Sequence, residues 1–154
     1  MKTYREYKES ITQGINKLPI FWAFDDKQFE KAMNERGLSK NDINQIYALG
    51  GGGYYLRKDA EVVRNYFNSC DELEELMKDF EFAESAFYEE ICNHEYIINC
   101  QGDYDVISCF YDIEWLGNLA DYNDYFKVLG VDKNIITAYE RAITKYRLKM
   151  RKYY

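Results

Sequence analysis

The sequence predicts an α+β fold, mostly helical, in a single acidic domain over residues 1–154 with a small sheet of three or four strands. Several segments place apolar residues at the spacing of one helix face, and short aromatic or β-branched runs lie between them. The chain has one proline and is 47% hydrophobic, which excludes a disordered linker or tail. No apolar run approaches the roughly 18 residues of a membrane span, and no signal peptide is visible, so we expect a cytoplasmic protein.

The N-terminal half shows capping residues before its helices and stop signals after them. Thr3 and Asp25 are N-cap residue types, and Leu18-Pro19 and Gly37 end the segments that precede them. The elements predicted here are a helix over 3–16, a buried strand over 20–24, a helix from Asp25 or Asp26 to Gly37, a short helix over 39–47, a strand over 54–57 and a helix from Asp59.

The C-terminal half contains the longest predicted helix. It begins at Ser69 or Asp71 and runs to about His94, with an apolar stripe at helical spacing. A turn signal at 101–103 between apolar runs predicts a hairpin of strands 96–100 and 104–111. Two further helices follow, one over 121–129 and one that begins after Asp132 and ends in basic residues.

The net charge of −7 is concentrated in the middle of the chain. Residues 71–125 carry 16 acidic residues and one basic residue, while residues 126–154 carry 8 basic and 2 acidic residues. Such an anionic block repels nucleic acid and anionic lipid and attracts basic protein surfaces. If the basic C-terminal helix folds back, it can neutralise only part of the excess. We therefore expect a basic protein partner, with no direct binding to nucleic acid and no membrane.

The partner surface is predicted on the acidic side of the longest helix and on the hairpin. Phe82 lies three residues after Asp79, which places an aromatic anchor among the acids; the alternative is that Phe82 packs under the basic C-terminal helix. We expect reversal of Glu75 and Asp79 to lysine to leave the fold intact. The predicted partner-binding residues are Glu72, Glu75, Asp79, Phe82, Glu89, Glu90, Asp103 and Asp105.

A run of four glycines, Gly50, Gly51, Gly52 and Gly53, is a second candidate functional feature. A phosphate-binding loop follows a strand, opens a helix and ends in Gly-Lys-Ser/Thr, whereas this run follows a helical segment and enters a strand. We therefore expect the glycines to supply positive φ angles for a tight connection, or to let another backbone or a partner come close.

The cysteines and the single histidine show no known metal or catalytic spacing. A metal site made of Cys92, His94, Cys100 and Cys109 would need a specific fold to assemble it, and buried reduced cysteines are the alternative. Cys92 and His94 lie two residues apart and would point to different sides of a helix, which disfavours a nucleophilic dyad. We expect no cofactor, no bound zinc, no disulfide and no catalytic residue.

A carboxylate group offers the main catalytic alternative. Asp103 and Asp105 would share one face of a strand, and with Asp112 and Glu114 they could hold Mg²⁺. No lysine lies between Lys78 and Lys127 to complete a metal nuclease, so an exposed acidic hairpin is the competing interpretation. The alternative function is a small enzyme or a nucleotide- or metal-binding protein that uses Asp103, Asp105 and His94.

A set of segments spread along nearly the whole chain carries a resemblance to a known family. The segments are Leu18–Phe24 with Gln28–Glu30, Leu49 with the glycine run and Tyr54, Asn93–Tyr96, Gln101–Asp105 and Ser108–Phe110. They resemble a family of small uncharacterised proteins from phages and prophages of Gram-positive bacteria. The resemblance carries no assigned activity, so no catalytic residue follows from it. It implies a mobile-element setting, in which small acidic proteins often inhibit host defence, including anti-CRISPR and anti-restriction proteins.

The sequence thus favours a non-enzymatic protein, cytoplasmic in a bacterial host, that binds and inhibits a basic, nucleic-acid-handling protein. A Cas nuclease or a restriction nuclease is the sharpest version of this hypothesis. Carboxylates would occupy the Lys and Arg side chains that normally hold phosphate. A third interpretation is a structural protein that works as a homo-oligomer.

Overall fold

The computed structural model describes residues 2–68, 72–95 and 100–153 and confirms the α+β class. The chain divides into two compact units. Unit 1 comprises Met1–Lys8 and Asp71–Tyr154, and unit 2 comprises Glu9–Cys70. The prediction of a single domain stays a prediction, and each unit is described by itself. None of the helices in the described ranges combines the length and apolar character needed to cross a membrane.

Unit 2 contains a three-stranded antiparallel sheet in the order β1-β3-β2, with helices around it. Its core comprises Phe21, Met33 and Ile46 in one cluster and Tyr55 and Val63 in another. The elements that contribute to this unit are α1 (Tyr4–Asn16, whose first residues belong to unit 1), β1 (Ile20–Trp22), α2 (Asp26–Glu35), β2 (Ile46–Gly50), β3 (Gly53–Leu56) and α3 (Ala60–Asn68).

The short helix predicted over 39–47 is wrong. A 3-10 turn over Ile43–Gln45 leads into β2, in which Ile46 is buried and pairs with Leu56. The capping signal itself is real, because the Asp42 side chain accepts a hydrogen bond of 2.8 Å from the Ser39 amide. Cross-strand pairing then decides the conformation that follows the cap.

The glycine run forms the tight turn between β2 and β3, which confirms the expected positive φ angles. Gly51 and Gly52 lie between the paired Gly50 and Gly53, with φ of 59° and 87°. Positive φ at both central residues is what a type I′ hairpin turn requires. A side chain at Gly52 would also come within 2.7 Å of the Phe24 ring, so this position needs glycine for space as well.

Unit 1 is helical, and its core lies where α5 packs on α8. Phe87 is fully buried, and its ring makes edge contacts with Tyr139 at 5.0 Å and Phe110 at 5.3 Å. The helices of this unit are α4 (Glu72–Leu76), α5 (Phe80–Asn93), α6 (Cys100–Ile107), α7 (Tyr122–Leu129) and α8 (Lys133–Arg151), with a 3-10 turn over Glu114–Leu116.

The single long helix predicted up to His94 is two helices, separated by a turn at residues 77–79. Asp79 has extended backbone angles, and its carboxylate accepts a hydrogen bond of 2.8 Å from the Phe82 amide. The apolar stripe continues across the break, since Met77 and Ala83 are both buried. Apolar periodicity alone therefore concealed an N-cap that starts a new helix.

The predicted hairpin is wrong in its second strand, because α6 occupies Cys100–Ile107. Most of the first predicted strand, residues 96–99, lies outside the described residues. Asp103, Val106 and Ile107 are buried together at helical spacing, which decides the conformation over the β-branched composition of the segment.

Candidate functional site

The acidic residues of α4 are exposed, as predicted, but two of them have basic partners. Glu72 lies 3.8 Å from the Lys2 ammonium, and Glu75 lies 2.6 Å from that of Lys78. Glu74 lies between them and is also exposed. These carboxylates remain available to an external cation, because exposed ion pairs of this kind contribute little to stability.

Asp79 and Phe82 do not form an exposed anchor. Asp79 is the N-cap of α5, and Phe82 is only 2% exposed. The Phe82 ring makes edge contacts with Tyr4 at 6.1 Å and Tyr7 at 6.2 Å. The prediction that Phe82 lies among the acids on the surface is wrong, because the first turns of α1 bury it.

Glu89 and Glu90 face basic residues from the start of the chain. Lys8 Nζ lies 3.5 Å from Glu89 and 3.4 Å from Glu90, and Arg5 lies 4.0 Å from Glu89. The basic C-terminal helix α8 also pairs with the acidic block, through Arg141 and Glu84 at 3.4 Å. Part of the negative charge of the acidic block is therefore neutralised within the protein. Basic residues near the N-terminus contribute to this, as well as the C-terminal helix from which it was predicted.

Asp103 is buried and serves the core of unit 1. Its carboxylate accepts hydrogen bonds from the Tyr139 hydroxyl at 2.7 Å and the Tyr122 amide at 3.1 Å. The prediction that Asp103 and Asp105 share an exposed face is wrong, because residues two apart on α6 point in different directions. The negative charge of Asp105 acts instead on Cys109, where it makes a small contribution to the raised pKa of the thiol.

Trp115, which the predicted partner surface did not include, has a side chain that is 69% exposed. Asp112 and Glu114 precede it in the chain and are both exposed, and neither forms an ion pair within the described part of the chain. The Trp115 ring N–H donates to the Asp112 carbonyl at 3.1 Å, which fixes the ring over this turn. We call Asp112, Glu114 and Trp115 together the Trp115 patch.

A second group, the Glu90 cluster, comprises Glu90, His94 and Cys109. His94 Nε2 lies 3.5 Å from Glu90 Oε2 and 3.5 Å from Cys109 Sγ, and Cys109 Sγ lies 3.8 Å from Glu90 Oε2. Among the described residues, the potential ligand atoms of these three side chains all lie within 4.8 Å of one another, so together they could hold a metal ion.

The protonation of the Glu90 cluster disfavours nucleophilic chemistry by Cys109. Partial desolvation of the sulfur, although Cys109 is exposed, together with the charge and hydrogen bond of Glu90, raises the Cys109 pKa to about 11. Burial also opposes ionisation of Glu90, but the Tyr4 hydrogen bond and the Lys8 charge hold its pKa below the ordinary value. At neutral pH the cysteine is therefore a thiol that donates to a carboxylate, and a thiol is a weak nucleophile.

Unit 2 has an open groove of about 570 Å³ between α2 and the sheet. Phe24 is 73% exposed at its edge, and Asp25 and Asp26 follow it in the chain. Unit 2 carries 8 basic and 8 acidic residues, so it has no net charge with which to select a partner. The electrostatic signal of the molecule lies in unit 1.

The family model that matches this chain, over residues 3–145, is that of a family of unknown function. The chain belongs to the family DUF7659. No curated protein and no solved structure matches the chain.

Part of the Glu90 cluster and of the Trp115 patch in this DUF7659 chain could be predicted from the sequence. Glu90 and His94 are four residues apart on one helix, a spacing that places both side chains on the same face. The sequence analysis named His94 and Cys109 together as candidate metal ligands but did not include Glu90, and only tertiary packing brings Cys109 to the other two. Trp115 directly after Glu114 was visible in the sequence, but the segment lacks the helical periodicity on which the predicted surface was based.

Proposed function

We propose that this protein is a non-enzymatic inhibitor that binds a basic, nucleic-acid-handling protein through the Trp115 patch. The observation that carries the proposal is the Trp115 side chain, which is 69% exposed and is preceded in the chain by the exposed Asp112 and Glu114. Covering an exposed tryptophan with a partner stabilises the complex, and tryptophan is enriched among the residues that dominate binding energy.

The carboxylates give this surface its chemical selectivity. They attract Lys and Arg side chains, accelerate encounter with a basic surface and repel phosphate. A nuclease that holds DNA through Lys and Arg offers such a surface, and an acidic protein bound there competes with the substrate. We infer a Cas or restriction nuclease of a bacterial host as the partner, and with it a cytoplasmic location in that host.

A DNA-cleavage assay tests the proposal. Purified protein is titrated into reactions of purified Cas and restriction nucleases, and we expect cleavage by at least one nuclease to stop at a stoichiometric excess. Trp115→Ala should raise the half-inhibitory concentration at least ten-fold, as expected for a residue of about 1.4 kcal/mol or more at an interface.

Phe24→Ala is the matched control, because Phe24 is also an exposed aromatic beside acidic residues but lies in unit 2. It should inhibit like the unmodified protein. Cleavage that continues across the panel at high protein excess contradicts the proposed inhibition. Equal losses in the Trp115 and Phe24 variants contradict the assignment to the Trp115 patch.

A further inference from the structure

We propose that the Glu90 cluster is a zinc-binding site, with Glu90 Oε2, His94 Nε2 and Cys109 Sγ as the three protein ligands. Carboxylate, imidazole and thiolate are the three ligand types that zinc uses in proteins. A thiolate and an imidazole together select zinc and related transition metals over Mg²⁺ and Ca²⁺, which prefer oxygen ligands.

The distances within the cluster match one face of a zinc tetrahedron. Zinc–ligand bonds of about 2.0 to 2.3 Å at tetrahedral angles place neighbouring ligand atoms about 3.3 to 3.7 Å apart. The three separations in this structure are 3.5, 3.5 and 3.8 Å. A zinc ion can therefore enter with side-chain shifts of a few tenths of an ångström.

Neighbouring residues hold the ligands in this arrangement. Tyr4 donates to Glu90 Oε1 at 2.9 Å and Lys8 donates to the same oxygen at 3.4 Å, which leaves Oε2 directed at His94 and Cys109. Glu90 and His94 also lie on successive turns at the end of α5, where the His94 amide donates to the Glu90 carbonyl at 3.0 Å. Such outer hydrogen bonds orient metal ligands and strengthen binding.

The charges around the site accommodate a divalent cation. A carboxylate and a thiolate balance the two positive charges of zinc, and the nearby Lys8 is also paired with Glu89 at 3.5 Å. On binding, the sulfur exchanges its proton for the metal, and the proton leaves to the buffer. With three protein ligands, the fourth position of the zinc tetrahedron is open to a water molecule.

Cobalt and zinc titrations test the site on the full-length protein after treatment with a chelator. We expect one equivalent of Co²⁺ to bind with a thiolate-to-cobalt charge-transfer band, and Zn²⁺ to displace it. Cys109→Ser should abolish the band, and Cys109→Ser and His94→Gln should each weaken zinc binding at least ten-fold, measured by competition with a chromophoric chelator.

Cys92→Ser is the matched control, since Cys92 is a half-buried thiol two residues before His94 on the same helix. It should keep the band and the affinity, and far-ultraviolet circular dichroism should show each variant folded. The proposal is overturned if no saturable uptake occurs, if Cys109→Ser keeps the charge-transfer band, or if Cys92→Ser loses as much affinity as Cys109→Ser. These readouts are independent of Trp115, so the site and the proposed inhibition fail separately.

Discussion

At the scale of single residues, two carboxylates predicted on the surface are buried, and both have hydroxyl partners. Glu90 is 7% exposed and accepts from Tyr4, while Asp103 is 4% exposed and accepts from Tyr139. A buried carboxylate is tolerated only where hydrogen bonds or charges replace its hydration. The high tyrosine content of the chain, with 16 tyrosines, supplies these donors as well as apolar area.

We expect Tyr4→Phe to lower the free energy of unfolding by about 1.5 to 3 kcal/mol at neutral pH, because it removes a hydrogen bond to a buried charged group. Urea denaturation followed by circular dichroism measures the change. Tyr153→Phe is the control, since Tyr153 is 73% exposed, and it should leave the stability unchanged. Equal stability of the Tyr4 variant and the unmodified protein would contradict the role assigned to this hydroxyl.

The same pair predicts how stability depends on pH. The pKa of Glu90 is lowered from 4.5, so its contribution is complete above about pH 4.5 and is lost as the pH falls through the folded pKa. Burial and the Glu90 hydrogen bond raise the pKa of Tyr4 from 10.0, so its contribution is complete below pH 10 and is lost as the pH rises further. Denaturation at a series of pH values should show the alkaline loss diminished in Tyr4→Phe and the acid loss diminished in Glu90→Gln.

At the scale of elements, capping residues predicted where helices begin better than apolar periodicity predicted whether one helix continues. The helices that begin after Asp25 and Asp132 were predicted because the cap and the apolar face agree, and both carboxylates accept from the first-turn amides. The single long helix failed because the stripe continues past the cap at Asp79. The hairpin failed because burial against α7 and α8 residues selects a helix at 100–107, and this tertiary effect leaves no local signal.

We expect Asp79→Ala to destabilise unit 1 by about 0.5 to 2 kcal/mol, because it removes the N-cap of α5. Asp79→Asn should stay close to the unmodified protein, since asparagine caps equally well. Thermal and urea denaturation measure both. An alanine variant as stable as the asparagine variant would show that the cap contributes nothing. We also expect Asp79→Lys to weaken the fold, because lysine cannot cap α5, and Glu75→Lys to leave it intact, because Glu75 is exposed and caps no helix.

At the scale of the whole molecule, the net charge belongs to one unit. Unit 1 carries 12 basic and 19 acidic residues, which equals the net −7 of the chain, and unit 2 is neutral. Within unit 1, the last turns of α8 expose Lys149 and Arg151 while the Trp115 patch exposes carboxylates. The sequence predicted the anionic character correctly, but it could not show which acids are buried, paired or free to meet a partner.

We expect replacement of Arg147, Arg151 and Lys152 by glutamine to accelerate association with a lysine-rich synthetic peptide several-fold at low salt. The change takes the net charge from −7 to −10 and removes repulsion between the peptide and α8. Stopped-flow measurements at low and high salt test this, because screening should remove the difference.

The control carries the same charge change in unit 2, through Lys27, Lys31 and Lys40 to glutamine. A smaller acceleration in that variant would show that the charge of unit 1 acts locally. Equal acceleration in both variants would mean that only the total charge matters, and slower association in the α8 variant would contradict the repulsion.

The two tryptophans give each unit its own fluorescent reporter. Trp22 lies in unit 2 and is 47% exposed, and Trp115 lies in unit 1 at 69% exposure. In a Trp22→Phe variant all indole emission comes from Trp115, which is largely hydrated and emits at long wavelength. A partner that covers the Trp115 patch will shift that emission to shorter wavelength, whereas emission from Trp22 in a Trp115→Phe variant reports unit 2. The residue proposed to carry recognition thus also makes binding visible without any label.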